Sequence, residues 1–178
     1  RFLCTECLHT FSQATFDPCY RQKKRFLNTL ILKNLVSGLS QRRCSINLKI
    51  NRKTVVWKFI FLGLCSMKGI EWQRSRFAKT IEIEFDDLET FEHSKLKPLS
   101  VTMAVETGSR RILGFKVSQM PAKGLLAAQS LKKYEKRNDQ RRSNRQKLFA
   151  ELSFHVSKTD LLIKSDQNPN YRPCVREF

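Results

Sequence analysis

Two acidic runs far apart in the chain hold the residues best suited to chemistry. The first, IEIEFDDLETF at 81–91, carries Asp86 beside Asp87; the second, DLLIKSDQ, brings a short apolar run to Asp166. Carboxylates fixed at neighbouring strand ends hold hard cations, because Mg²⁺ or Mn²⁺ takes oxygen ligands from a rigid scaffold. Asp86 and Asp166 are therefore the candidate catalytic and metal-ligating pair. A second candidate is Cys4-Thr5-Glu6-Cys7, whose thiolates would form half of a tetrahedral Zn²⁺ site, with His9 and Cys19 as the nearby supplements. The plainer alternatives are two unliganded thiols, and a solvated acidic edge made of Glu82, Glu84, Asp86, Asp87, Glu89 and Glu92.

The carboxylates need strands to hold them. Ile81, Ile83 and Phe85 alternate with Thr80, Glu82 and Glu84, which predicts a strand ending at Asp86-Asp87. LSVTMAV and RRILGFKVSQM predict two more strands, joined by a hairpin turn at Glu106-Thr107-Gly108-Ser109. Leu161 to Ile163 predict a fourth strand finishing on Asp166, and Asn168-Pro169-Asn170 a turn. Between them, 124–152 shows helical spacing, with Lys132, Lys133, Lys136, Arg137, Arg141, Arg142, Arg145 and Lys147 against Glu135 and Asp139. That charge suits either a rail along DNA phosphates or a solvated helix surface.

The front of the chain reads as helical. Residues 20–37 place Phe26, Leu27, Leu30, Ile31 and Leu35 on one stripe, closed by Gly38. A second helix starts at the cap Ser40 and ends near Leu48; a third starts at the cap Asn51 and ends at Gly63. Cys44 sits where two helices approach, and Leu48, Ile50 and Val55 pack the corner. Arg52, Lys53, Thr54, Trp57 and Lys58 are then expected on the exposed face of the third helix, with Arg42 and Arg43 on the second, a surface that suits a major groove. Lys49 occupies the turn where Gly is usual, and a left-handed backbone there costs a non-Gly residue about 1 kcal/mol. Residues 64–79 show no sustained period and predict a linker.

Composition points to a polyanionic partner. The 178 residues carry a formal charge of +18, with a pI near 10.1. Residues 1–79 hold 16 Lys and Arg against three acids, residues 80–178 hold 18 against 13, so the front half is the electrostatic half. No apolar run approaches the ~20 residues of a membrane span, and no leader is evident, so a cytoplasmic, nucleoid-associated location without membrane contact is expected. The six cysteines fit thiols or metal ligands in that compartment.

In order and spacing, these motifs resemble an insertion-sequence transposase of the DDE type. RFLCTECLHTFS is similar to the closing half of that family's zinc ribbon, GLSQRRCSINLKINRKTVVWK resembles its helix-turn-helix, and FDDLETF, RRILGFKV and IKSDQNPNY resemble its ribonuclease-H-like core. The resemblance implies an α/β protein: a partial zinc ribbon at 1–19, a helix-turn-helix domain at 20–63, a linker at 64–79, and a truncated ribonuclease-H-like mixed sheet with helices at 80–178. It also implies metal-assisted strand cleavage and transfer on double-stranded DNA, at element ends and target, by a homodimer in the full-length form. Asp86 would bridge two Mg²⁺ (or Mn²⁺) ions and Asp166 bind one, with Asp87 standing where the family often has an acidic neighbour. The family's third carboxylate, usually Glu, belongs further downstream than Glu177, so the expectation is a fragment lacking part of both ends and inactive alone. The competing reading is a non-catalytic helix-turn-helix protein, such as a repressor of element ends. RNA binding is disfavoured, because Phe2, Phe11, Phe16 and Phe26 do not line up as a stacking surface on a sheet.

Overall fold

The computed structural model describes every residue except Lys158, Gln167, Glu177 and Phe178, so Glu177 lies outside the described residues. The protein is mixed α/β, and the chain divides into two compact units, Arg1–Gly69 and Ile70–Phe178.

Unit 1 opens with a small antiparallel ribbon, β1 (Phe2–Leu3) and β2 (Thr10–Phe11), followed by a 3-10 turn at Gln13–Phe16. Three helices follow: α1 (Leu27–Val36), α2 (Gln41–Asn47) and α3 (Arg52–Arg76). α1 begins later than the expected 20–37 span, because Arg21 and Lys24 adopt left-handed φ values of 58° and 52° that a helix cannot continue through. Its buried stripe is narrower than expected: Leu27 and Ile31 are buried and Leu35 partly so, while Phe26 and Leu30 face solvent. Gly38, at φ 81°, ends the helix and returns its N–H to Leu35 O at 3.0 Å. Ser40 Oγ caps α2 by accepting from Arg43 N at 3.2 Å, and Asn51 Oδ1 accepts from Lys53 N at 2.8 Å at the start of α3. Lys49 takes the left-handed conformation (φ 51°) in the turn between them, where Ile50 N–H bonds Ser45 O at 3.0 Å. Leu27, Ile31, Cys44 and Val55 form the core, with Leu48, Ile50 and Leu62 packed against it.

The third helix does not end at Gly63: it continues to Arg76, so most of the 64–79 stretch is helical. An interior glycine costs a helix about 1 kcal/mol relative to Ala, too little to stop a proline-free run. Both Gly63 and Gly69 lie within α3, and the unit boundary at Gly69 falls inside that helix.

Unit 2 is built on β3 (Glu82–Phe91), β4 (Pro98–Glu106) and β5 (Ile112–Gln119), an antiparallel meander joined at its 107–111 turn by Gly108 at φ 85°. Helices α4 (Leu126–Tyr134) and α5 (Arg141–Leu152) follow, then β6 (Leu162–Lys164) and the short α6 (Arg172–Arg176). The single helical stretch expected over 124–152 is broken where Glu135 turns left-handed (φ 60°), and Asp139 Oδ1 restarts it by accepting Arg141 N–H at 3.1 Å. The sheet order is β5-β4-β3-β6, with β6 parallel to β3 and all other pairs antiparallel. Leu148, Phe149 and Leu152 of α5 pack with Ile83, Phe85, Ala104 and Leu113 to form the core. Phe85 is the hub: Phe149 meets it edge-on at 5.0 Å and Tyr171 lies at 4.8 Å.

Candidate active site

β3 does not finish on Asp86-Asp87. It runs on to Phe91, because β4 supplies a partner for every residue from Ile83 to Phe91, and the two aspartates sit at mid-strand. Period two then sends them to opposite faces. Ile83 and Phe85 are buried in the core, and Asp87 shares their side. Asp86 shares the other with Glu84 and Leu88, across from Val105, Met103 and Val101 of β4. That second face floors a cavity of about 500 Å³ lined by Glu84, Asp86, Leu88, Met103, Arg110, Lys164 and Asp166, among others.

Asp166 reaches the same cavity through strand register. Glu84 pairs with Lys164, the last residue of β6, and two further steps along each parallel strand lead to Asp86 and Asp166. Asp86 and Asp166 thus line one cavity, Asp86 from mid-β3 and Asp166 from just past the end of β6. Asp166 Oδ1 accepts from Asn168 N at 3.2 Å, and Asn168 Oδ1 accepts from Asn170 N at 3.0 Å, so consecutive Asx turns hold the loop. Tyr171, next in line, donates a long 3.5 Å hydrogen bond to Asp86 Oδ1. Burial first, then the charges of Asp87, Asp166 and Asp86, push its phenol well above the usual tyrosine range.

Charge pairing separates Asp86 and Asp166 from the acidic residues around them. Glu82 pairs with Lys164, Glu84 with Arg110 at 3.1 Å, Glu89 with Lys123 at 2.5 Å and Glu92 with Lys97 at 3.7 Å. Asp87 faces Arg145 at 3.9 Å and accepts from the buried Thr102 hydroxyl. Its place behind the strand, against α5, removes Asp87 as an acidic neighbour on the cavity side. Among the described residues, Asp86 and Asp166 form no ion pair, and no group of three or more His, Cys, Asp or Glu is arranged to hold a metal ion.

In the N-terminal ribbon, Cys4 N–H bonds His9 O and Leu8 N–H bonds Cys4 O, both at 3.0 Å. The amides of Cys7 and Glu6 stabilise the Cys4 thiolate and lower its pKa. Cys19 is engaged elsewhere, with its sulfur 3.5 Å from Asn28 Nδ2.

Arg42, Arg43, Arg52, Lys53 and Trp57 are exposed and Thr54 is half-buried, which leaves exposed basic side chains at the start of α3 and on α2. Lys58 does not belong with them. It is 5% exposed, because Val55, Lys58 and Leu62 recur at helical spacing on the face turned to α1. Its ammonium donates to Asn28 Oδ1 at 2.7 Å and Lys23 O at 3.3 Å, and burial lowers its pKa.

Sequence reasoning gave no role to Tyr171 or Thr102 and read Arg145 only as one cation of the basic run, yet each contacts one of the β3 aspartates. Tyr171 had the nearest signal, five residues after Asp166 in SDQNPNY. No protein-family model, curated protein or solved structure matches the chain. No helix among the described residues is long and apolar enough to cross a membrane.

Proposed function

We propose that this chain is a DNA-binding protein of the DDE-transposase kind. In this reading unit 1 is a helix-turn-helix domain that grips duplex DNA, and unit 2 is a ribonuclease-H-like core for strand cleavage and transfer. One observation carries it: Asp86 and Asp166 line one open cavity and form no ion pair among the described residues, while the neighbouring acids are paired. Two carboxylates, one on β3 and one on the turn-held loop just past β6, suit a hard cation. Mg²⁺ or Mn²⁺ held by them would polarise a phosphodiester and generate a nucleophile at neutral pH. Tyr171 orients Asp86 through its hydroxyl, and Asn168 N–H fixes Asp166.

The exposed basic side chains of unit 1 support the DNA half of the proposal, with Arg52 and Lys53 in the first turn of α3 and Arg42 and Arg43 on α2. Cys4 and Cys7 offer two of the four ligands of a zinc knuckle. A homodimer in the nucleoid completes the reading. Since Arg42, Arg43, Arg52 and Lys53 all lie within unit 1, they equally suit a non-catalytic repressor.

Asp86→Asn in the full-length protein separates these readings. It is expected to abolish Mn²⁺-dependent nicking of supercoiled DNA and leave duplex affinity unchanged; nicking that persists at the wild-type rate refutes the metal assignment. A wild-type full-length protein that binds duplex but never nicks it favours the repressor.

A further inference from the structure

The side of β3 away from the cavity holds a buried cation that the proposed chemistry does not use. Arg145 is 5% exposed, and taking a guanidinium out of water is costly unless its charge is met by nearby groups. Its partners come from three places in the sequence. Nε faces Asp87 Oδ2 at 3.9 Å and makes no hydrogen bond among the described residues. Nη1 donates to Asn170 O at 2.9 Å, and the guanidinium lies 5.1 Å over the Tyr171 ring.

We propose that Arg145 is a positioning residue that locks the Asp86 strand to the Asp166 loop, so that the two carboxylates are held at one metal site. On the strand side, Arg145 and the Thr102 hydroxyl hold Asp87, and Asp87 N–H in turn bonds Asp86 Oδ1 at 2.7 Å. On the loop side, Arg145 holds Asn170 O, and Asn170 is tied through Asn168 to Asp166. The Tyr171 ring under the guanidinium carries the hydroxyl that reaches Asp86. A planar fork with several donors can meet a carboxylate, a carbonyl and a ring face at once; a lysine ammonium at the end of its stem cannot. The inference rests on the metal-site reading above, with Asp86 and Asp166 as ligands.

The test is Mn²⁺ binding to the full chain, followed by the loss of the free-ion electron paramagnetic resonance signal. Arg145→Met and Arg145→Lys are expected to weaken Mn²⁺ binding tenfold or more, the usual effect of removing a partner that orients metal ligands. The Tyr171 ring resonances should shift in both variants, while the core resonances of Leu113 and Ile83 stay in place. Wild-type affinity in a folded Arg145→Met chain overturns the positioning role alone. If wild-type chain binds no Mn²⁺, the metal-site reading falls and the positioning role falls with it. Should Arg145→Met not fold, Asp87→Asn, which keeps the shape and removes the charge partner, is expected to weaken Mn²⁺ binding in the same way; unchanged affinity there refutes the lock.

Discussion

Replacing Lys58 distinguishes a buried structural lysine from a DNA contact. In Lys58→Ala, three buried methylenes are lost, at ~0.8 kcal/mol each. Two acceptors, Asn28 Oδ1 on a half-buried residue and Lys23 O on an exposed one, lose their donor; water can reach them, so the cost stays at or below the low end of the ~1–3 kcal/mol of an unpaired buried acceptor. Relief of a desolvated ammonium, whose pKa burial already lowers, offsets part of this. The net expectation is a loss of about 3 kcal/mol for Lys58→Ala. Lys58→Met keeps the apolar stem and sheds the charge, so its loss should be about 1 kcal/mol or less. Native-state amide exchange at Ile31 and Val55 in the full chain reports this unit's opening directly. On DNA, Lys58→Met should leave affinity and its salt dependence unchanged. Lys53→Ala, at an exposed position, should reduce the logarithmic salt slope by about one. Equal losses for the Ala and Met variants would refute the account of the buried stem. A salt slope lowered by Lys58→Met would return that residue to the DNA surface.

Two further predictions concern unit 2. A Cβ on Gly114 would lie 2.8 Å from Leu148 Cδ1, and Leu148 is fully buried, so Gly114→Ala should cost about 1–3 kcal/mol in urea unfolding. Burial, then Arg74, Arg111 and Lys79, hold the His155 pKa below its ordinary 6.5. The unfolded chain therefore takes up this proton first, and stability should fall as pH drops below about 6.5. His155→Gln should flatten that dependence between pH 7 and pH 5 in unfolding titrations; an unchanged slope would assign it to other groups.

Local pattern was enough where burial is one-sided and partners are near in sequence. The alternation in 81–91 and the Gly108 turn made the meander legible, and Ser40, Cys44, Ile50 and Val55 marked the corner of three helices. The failures share a cause: tertiary partners outweighed local signals. Asp86-Asp87 looked like a strand end because acids are poor strand formers, yet Met103 and Thr102 of β4 continue the ladder past them. Gly63 looked like a stop and Lys58 looked solvated, because neither the continuation of α3 nor the Asn28 acceptor is visible at short range. Arg145 was one charge among eight in a basic run. Its distinction lies in Asp87 and Asn170, 58 residues before it and 25 after it.

The central claim is that Asp86 and Asp166 act as one cation site, and the direct measurement is Mg²⁺ titration of the full chain with side-chain carboxyl ¹³C resonances resolved. The account predicts that both carboxyls shift along one saturating curve while Glu84, paired with Arg110, stays nearly still. Shifts confined to one aspartate, or spread evenly over all the acids of β3, would contradict it.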